Sequence, residues 1–209
     1  MTLHIGEIAP DFTVDSTVGE IGLHEWAGDS WVFFFSHPAD FTPVCTTEMG
    51  MTARLADQFE ARNVKPLGLS TDTAAEHLAW IADVNETQNT TLTFPIVADP
   101  DCEIARLYDM IHPDQSETAA VRSVFIIDPD KKIRLIISYP MSVGRNFDEI
   151  LRVIDSLQLT DRARVVTPAN WEPGGEVIIP PSIPDDEAKV TFPQGFTTIK
   201  PYLRMTKVS

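Results

Sequence analysis

The sequence predicts an α/β protein in which helices cover a mixed β-sheet, followed by a proline-rich C-terminal extension. Short apolar runs typical of strands alternate with segments of helical periodicity, and two strand-like runs joined by a turn precede the last helix. The pattern changes at about Val165, where prolines interrupt any long element. At 209 residues, the chain can form one full core and carry an appendage.

The core begins with a strand predicted at residues 31–36, because this run is short, continuous and rich in aromatic side chains. A helix is predicted over residues 46–62, where apolar residues recur at spacings of three and four and form one inward stripe. Residues 64–70 are predicted as the second strand. The chain therefore begins with the alternation of strand and helix that is typical of α/β proteins.

The middle of the chain continues this alternation. Thr73-Ala74-Ala75-Glu76 is a capping box, which predicts a helix that runs to about Val84. Residues 94–97 are predicted as a short strand. Asp99-Pro100 is predicted to open another helix, with Asp99 as the N-cap and Pro100 at the first helical position.

The last part of the core is predicted to hold a hairpin and a helix. Residues 123–128 and 133–138 have the composition of strands, and the Pro-Asp-Lys-Lys tetrad between them has that of a turn. Asn146 is predicted to cap the final helix. A hairpin brings an antiparallel pair into the sheet, which is why we expect the sheet to be mixed.

The extension over residues 165–209 is predicted to form short strands and to pack against the main domain or another subunit. Its content of apolar and aromatic side chains is too high for a disordered tail. The side chains concerned are Trp171, Val177, Ile178, Ile179, Phe192, Phe196 and Tyr202.

The charge of the chain excludes some classes of partner. The formal net charge is −15 and the isoelectric point is near 4.5, which argues against nucleic acid and anionic membranes, since both attract basic surfaces. No run approaches the ~18 apolar residues of a membrane span. The N-terminal residues lack the basic start and apolar centre of a signal peptide, so we expect a cytoplasmic protein with free thiols.

The segment that carries most of the chemical information is Pro38-Ala39-Asp40-Phe41-Thr42-Pro43-Val44-Cys45. Thr42 is a good N-cap, and Pro43 suits the first helical position because no N–H is needed there. Cys45 then falls at position N3, beside unpaired backbone N–H groups and the positive end of the helix dipole. This position stabilises a thiolate and predicts a reactive cysteine.

The second cysteine, Cys102, has a similar predicted position. With Asp99 as N-cap and Pro100 at N1, Cys102 also falls at N3. Its neighbours Asp101 and Glu103 are acidic, and like charge disfavours a thiolate. Cys45 is therefore the predicted reactive thiol, and the alternative is that both cysteines are small buried hydrophobic residues.

The sequence around Cys45 resembles the active-site segment of the peroxiredoxins, and more narrowly that of the 1-Cys, peroxiredoxin-6-like branch. The resemblance covers essentially the whole chain, and a P-x-x-x-T-x-x-C pattern combined with a distant arginine is specific. The segments that carry it are residues 9–12, 28–31, 35–48, 77–80, 121–125, 129–132, 144–149, 167–171 and 202–204.

The resemblance implies a thioredoxin-like peroxidase domain at residues 1–164 and a C-terminal peroxiredoxin extension at 165–209 that packs across a homodimer. A larger ring of dimers stays open. It also implies an antioxidant enzyme of cell redox homeostasis and the response to oxidative stress. Such an enzyme reduces hydrogen peroxide and organic hydroperoxides without a metal or other cofactor.

The resemblance implies a role for each residue of the Cys45 segment and for one distant arginine. Cys45 is the peroxidatic cysteine, which passes through a sulfenic acid. Thr42 hydrogen-bonds the bound peroxide and orients the thiolate, and Pro38 shields the sulfur from water. Arg122 lies by the sulfur and stabilises the thiolate and the developing charge.

Three further residues are implied to support the site. Arg145 matches a second family arginine and has Glu48 as its partner, whereas His37 is a second-sphere residue. From the residues alone, other interpretations stay open. Arg122 could be an exposed surface charge. Arg145 could only flank the Asn146 cap or pair with Asp148. His37 could be a structural histidine bonded to the backbone.

The cysteine count bears on how the sulfenic acid is reduced. No cysteine follows Cys102, which favours a 1-Cys cycle with an external thiol of the glutathione or thioredoxin/glutaredoxin type. The alternative is that Cys102 resolves the sulfenic acid, which requires the two Cα atoms to lie within about 7 Å.

Other functions can be weighed on single residues. Some members of this branch are also phospholipases, and the matching residues here are His24, Ser30 and Asp130, but the second glycine of the G-x-S-x-G segment is missing. A dithiol oxidoreductase would need a cysteine where Thr42 stands. A non-catalytic scaffold on the same fold is the remaining alternative, although no catalytic position is replaced.

Overall fold

The computed structural model describes residues 3–208, which group into two compact units with the boundary after Phe147. The first unit contains a short two-stranded ribbon and a five-stranded sheet with helices. Its elements are β1 (Thr13–Val14), β2 (Ile21–Gly22), α1 (Leu23–Ala27), β3 (Trp31–Ser36), α2 (Pro43–Arg54), α3 (Ala56–Glu60), β4 (Val64–Ser70), α4 (Ala74–Gln88), β5 (Ile96–Ala98), α5 (Glu103–Leu107), β6 (Arg122–Ile127) and β7 (Ile133–Tyr139).

The large sheet has the strand order β5-β4-β3-β6-β7 and is mixed, as the sequence predicts. Strand β3 lies at its centre, parallel to β4, with Phe34 beside Leu67, and antiparallel to β6, with Phe34 opposite Phe125. Every residue of β3 is buried because both faces of the central strand are covered. The chemistry described below starts where this rigid strand ends.

The local patterns predicted most elements correctly. Strands β3 and β4 have the predicted bounds, and the Thr73–Glu76 capping box is formed. The helix predicted over residues 46–62 instead starts at Pro43 and divides at Leu55, whose φ and ψ of −92° and 8° interrupt it. The helix that follows the capping box runs past Val84 to Gln88 and ends at Asn89 in the left-handed conformation.

The prediction for the helix near Cys102 is wrong in its start. Helix α5 begins only at Glu103, and Cys102 adopts the left-handed conformation with φ of 58°, so it is not at position N3. The physical reason is the carboxylate of Asp99, which accepts the backbone N–H groups of Glu103, Ile104 and Ala105 at 2.9, 3.2 and 2.7 Å. Asp99 thus caps the helix from outside its first turn.

Helix α6 (Phe147–Ala163) begins at the boundary and continues into the second unit. That unit also contains β8 (Val177–Ile179), α7 (Asp185–Thr191), β9 (Thr197–Lys200) and β10 (Leu203–Thr206). The three strands form an antiparallel sheet in the order β8-β10-β9. Tyr202, expected to pack, has 67% of its surface exposed. The unit has its own core, formed by Leu159, Val165, Trp171, Val177, Ile179, Ile183, Ala188 and Phe192.

Within residues 3–208, none of the helices combines the length and the apolar character that crossing a membrane requires.

Candidate active site

The candidate site is built at the turn from β3 to α2. Thr42 is the N-cap, with φ of −113° and ψ of 148°, and Pro43 is the first helical residue, so Cys45 lies at N3 as its sequence predicts. The Cys45 side chain is fully buried. A thiolate here faces the unpaired N–H groups of a twelve-residue helix.

Thr42 holds the N-cap position without capping through its side chain. Its hydroxyl donates to the Ala39 carbonyl at 2.9 Å, and no hydrogen bond joins it to an N–H of α2. The loop is thereby tied back on itself, while the first N–H groups of the helix are left available. Because the hydroxyl proton points at Ala39, donation to another ligand requires rotation about the Cβ–Oγ1 bond.

Arg122 is the first residue of β6 and is buried, so it is not the exposed surface charge that its sequence position alone would allow. Its Nη1 atom lies 3.4 Å from the sulfur of Cys45 and 2.7 Å from Oε2 of Glu48. Its Nε and Nη2 atoms both donate to the Met141 carbonyl, at 2.9 and 2.8 Å. The guanidinium is therefore fixed from two sides against the thiol.

Glu48 lies between two arginines. Arg145 donates to Glu48 twice, from Nη2 to Oε2 at 2.7 Å and from its backbone N–H to Oε1 at 2.8 Å. The Nη1 atom of Arg145 also donates to the carbonyls of Ser36 and Ser123, at 2.7 and 3.2 Å. Burial lowers the pKa of Arg145, and the adjacent Glu48 carboxylate opposes this shift. Two guanidinium groups and one carboxylate leave a net positive charge near the sulfur.

A chain of buried hydrogen bonds ties the loop before α2 to helix α4. Nε2 of His37 lies 2.8 Å from Oδ1 of Asp40, and Nδ1 of His77 lies 2.6 Å from Oδ2 of the same carboxylate. Burial lowers the pKa of His37. Burial alone would raise the pKa of Asp40, but the hydrogen bonds from both imidazoles outweigh it and bring that pKa below its ordinary value. The His37 ring is therefore bonded to a carboxylate, and the alternative of a histidine bonded to the backbone is wrong.

Asp40 and His77 also belong to this site, although the local sequence patterns do not indicate them. An indirect signal for His77 is present, because it shares the buried stripe of α4 with Trp80 and Val84, at spacings of three and seven. A histidine on an apolar stripe needs a buried partner. Nothing local shows that the partner is Asp40, which lies 37 residues away.

Pro38 and Cys102 take no part in these hydrogen bonds. Pro38 lies in the loop after β3 and is partly exposed. Cys102 is buried and donates from its sulfur to the Thr118 carbonyl at 3.3 Å. Both cysteines are free thiols.

The residues that would form a phospholipase triad each have another partner. The Ser30 hydroxyl donates to Oδ1 of Asn63 at 2.8 Å, and Nε2 of His24 lies 2.8 Å from the Ala9 carbonyl. Oδ2 of Asp130 lies 3.9 Å from Nζ of Lys132, and the Asp130 side chain is 81% exposed. A hydrolase triad needs the serine hydrogen-bonded to the histidine, and the structure does not provide this contact.

Comparison with known proteins gives consistent matches along the chain. Residues 5–136 match the AhpC/TSA family, and residues 156–195 match the C-terminal domain of 1-Cys peroxiredoxin. The chain is 53% identical to a 1-Cys peroxiredoxin of Dictyostelium discoideum over 204 residues, which are 98% of this chain and 85% of that protein. It is 48% identical to human peroxiredoxin-6 over 217 residues, covering 98% of this chain and 97% of the relative.

Two solved structures are similar over nearly the whole chain. A yeast mitochondrial 1-Cys peroxiredoxin, studied for its thiol resolving mechanism via glutathione/thioredoxin systems, has a TM-score of 0.94 and 51% identity, with 99% of this chain and 100% of that chain covered. A cysteine-to-serine mutant of peroxiredoxin 6 from Arenicola marina has a TM-score of 0.94 and 44% identity, with 98% of each chain covered.

Proposed function

The chain belongs to the AhpC/TSA family of peroxiredoxins, in its 1-Cys branch, and on this premise we propose that Cys45 is its peroxidatic residue. The protein is a thiol-dependent peroxidase. The observation that carries the assignment is the buried sulfur of Cys45 at a helix N-terminus, 3.4 Å from the guanidinium of Arg122. A cation and a helix start together favour the thiolate, which is the nucleophilic form.

The proposed reaction needs only charge stabilisation and orientation. The Cys45 thiolate attacks one peroxide oxygen, an S–O bond forms, and the O–O bond breaks. The leaving oxygen takes a proton and departs as water or an alcohol. Cys45 is thereby oxidised to a sulfenic acid while the hydroperoxide is reduced. Because charge moves from sulfur to the leaving oxygen, fixed donors near both ends lower the barrier.

The surrounding residues are assigned to parts of this reaction. Arg122 stabilises the thiolate and the peroxide oxygens, and Thr42 turns its hydroxyl from the Ala39 carbonyl toward the substrate. Pro38 limits the access of water. Glu48 and Arg145 are positioning residues, because their ion pairs hold the guanidinium of Arg122 in place. His37 is a supporting residue of the same loop.

An external thiol completes the cycle, and we propose that it is of the glutathione or thioredoxin/glutaredoxin type. The chain offers no resolving cysteine beyond Cys102. The Cys102 thiol is buried and bonded to the Thr118 carbonyl, which supports an external reductant. Incubation of the sulfenic acid form with glutathione or with a thioredoxin or glutaredoxin system identifies the reductant by the return of the free thiol.

A homodimer, with or without further association into a ring, is also part of the proposal. Its support is the exposure of Tyr202, since an exposed aromatic side chain is typical of an interface. A monomer in sedimentation equilibrium would contradict it. A cytoplasmic location stays a prediction, which microscopy of the tagged protein tests.

One experiment decides the assignment of Cys45. Reduced protein is mixed with one equivalent of hydrogen peroxide and a sulfenic acid trap, and its intact mass is followed. We expect rapid trapping in the wild type and in Cys102→Ser, and none in Cys45→Ser. A loss of two hydrogens with a Cys45–Cys102 disulfide would instead assign Cys102 as a resolving residue, and an inert Cys45 would contradict the peroxidatic role.

A further inference from the structure

The two nitrogen atoms of His77 both face hydrogen-bond acceptors. Nε2 lies 3.1 Å from the Val97 carbonyl, which can only accept, so Nε2 carries a proton. Nδ1 lies 2.6 Å from Oδ2 of Asp40, and a proton must lie between these two atoms. The hydrogen bonds from the two imidazoles lower the pKa of Asp40, which favours its carboxylate form and a proton on the imidazole. A ring with a proton on each nitrogen satisfies both contacts, and Asp40 is then its buried counter-ion.

The protons of His37 can be assigned in the same way. Nε2 lies 2.8 Å from Oδ1 of Asp40, so it carries the proton that this contact needs. Burial keeps the ring neutral, which leaves Nδ1 as an unprotonated acceptor. This Nδ1 atom is buried and has no hydrogen-bond partner within residues 3–208. Such an orphaned acceptor is rare in folded proteins and points to a ligand or an intermediate that uses it.

His37 belongs to the surroundings of the Cys45 turn. Its ring packs against that of Trp80, with centroids 5.1 Å apart, and Nε1 of Trp80 donates to the hydroxyl of Thr46, the residue after Cys45, at 3.3 Å. On the other side, Arg145 donates to the carbonyl of Ser36, the residue before His37. The ring that carries the orphaned acceptor thus packs against a residue that is hydrogen-bonded to the first turns of α2.

We propose that Asp40 and His77 are positioning residues for the peroxidase reaction. Their buried ion pair holds the His37 proton on Nε2 and so keeps Nδ1 as an acceptor for an O–H group that the reaction brings to the site. This inference rests on the proposed function of Cys45. It gives a functional role to two residues that lie outside the segment from Thr42 to Cys45.

The charged groups around the pair are compatible with this arrangement. Asp72 accepts the backbone N–H of Asp40 at 2.9 Å and the Ser70 hydroxyl at 2.6 Å. Glu76 and Arg145 act on the pair and on His37 through their charges. One ligand atom from each of four residues lies within 4.8 Å of the others, which is the spacing of a metal site: His37, Asp40, Asp72 and His77. Both Asp40 oxygens are already hydrogen-bonded to imidazoles, so protons take the place that a metal ion would have.

The first test is independent of catalysis. Long-range ¹H–¹⁵N spectra of the reduced protein at pH 7 report the protonation of each histidine, with assignments from His37→Asn and His77→Asn and with the partly exposed His112→Asn as control. We expect His77 to be doubly protonated and His37 to be neutral with its proton on Nε2. A neutral His77, a His37 proton on Nδ1, or a bound metal whose removal by EDTA changes these signals would overturn the proposal.

The second test compares two substitutions of Asp40 by the rate at which peroxide oxidises Cys45. Asp40→Asn can accept from His37 through Oδ1 and donate to a neutral His77 through its amide, which preserves the His37 tautomer. Asp40→Leu offers neither contact. We expect Asp40→Leu to lose about 100-fold in rate, the scale of a positioned proton-transfer group, and Asp40→Asn to recover most of it. Equal rates in the two variants would overturn the proposal.

The controls separate this inference from its premise and from misfolding. Near-ultraviolet circular dichroism verifies that each variant is folded. If Asp40→Leu does not fold, His77→Asn and His77→Leu give the same comparison, because only the asparagine can donate to Asp40, and equal rates again overturn the proposal. If wild-type Cys45 does not react with peroxide, the peroxidatic role fails, whereas the histidine spectra still decide the proton positions.

Discussion

The turn from β3 to α2 and the turn from β5 to α5 have a similar residue order, but they place their cysteines in different environments. Each has a capping residue, then proline, then a cysteine two residues later, in Thr42-Pro43-Val44-Cys45 and Asp99-Pro100-Asp101-Cys102. Both cysteines are buried. The shared order of capping residue, proline and cysteine therefore does not by itself decide which thiol reacts.

The difference lies in what happens to the first N–H groups of each helix. In the second turn, the Asp99 carboxylate accepts three of them, and Cys102 leaves the helical conformation. In the first turn, the Thr42 hydroxyl accepts none, and Cys45 stays at N3. A thiolate competes with the capping side chain for the same donors, so a strong anionic cap removes the stabilisation that a reactive cysteine needs.

The second difference is the partner of each sulfur. Cys45 receives a guanidinium N–H from Arg122, whereas Cys102 donates to the Thr118 carbonyl. A cationic donor favours the thiolate, and a carbonyl acceptor favours the thiol. The fold thus gives one sulfur a cationic donor and the other a carbonyl acceptor.

Replacing Arg122 by glutamine should remove most of the difference in reactivity that we expect between Cys45 and Cys102. Glutamine can donate a hydrogen bond but carries no charge, so we expect the rate of Cys45 oxidation by peroxide to fall about 10²–10³-fold, as when a fixed donor to developing charge is lost. Stopped-flow kinetics measures this rate. The matched control is Arg134→Gln, which removes a cation over the Trp31 ring. A loss of similar size in the control would contradict a specific role for Arg122.

Glu48→Gln should also affect the turn that carries Cys45, and we expect it to lower the free energy of unfolding. It leaves the guanidinium groups of Arg122 and Arg145 buried without their shared carboxylate, and breaking a buried ion pair costs about 3–5 kcal/mol. Urea unfolding gives the free energy. The control is Glu187→Gln, in the exposed pair with Arg164, where we expect a loss of about 1 kcal/mol or less. Equal losses would mean that the Glu48 pairs add nothing.

The predictions that succeeded depend on short-range signals. Strand β3 and the N3 position of Cys45 follow from an apolar run and from a proline after a capping residue, all within a few positions of one another. The predicted helix start at Pro100 was wrong because the Asp99 carboxylate accepts N–H groups from Glu103 onward, and the sequence pattern does not distinguish this geometry from an ordinary N-cap.

The long-range contacts of the site could not be derived from local patterns. Arg122 and Cys45 are 77 positions apart, and only the family resemblance connected them. Asp40 and His77 were missed because their contact depends on how α4 packs against the loop before α2. Such pairs become predictable only when the strand order is known, since that order decides which loops meet.

Asp99→Ala should affect the second turn and spare the first. It removes the acceptor of three helical N–H groups, so we expect the free energy of unfolding to fall by about 2 kcal/mol, the upper range for a lost cap. The rate of Cys45 oxidation should not change, because the two turns share no hydrogen bond in the described structure. Urea unfolding and stopped-flow kinetics of the same variant test both parts, and a slower Cys45 would contradict the independence of the turns.

The smallest expected effect is a pH dependence confined to the first turn. The pKa of His37 is lowered by burial, so the unfolded chain binds a proton there before the folded protein does. Stability therefore falls as the pH drops below the unfolded value of about 6.5, with a slope approaching about 1.4 kcal/mol per pH unit for one proton. Urea unfolding between pH 5 and 8 measures the slope, which should be smaller in His37→Gln and unchanged in His112→Gln. An identical slope in the wild type and His37→Gln would show that His37 is not the group that titrates. The first turn would then not differ from the second in its contribution to the pH dependence of stability.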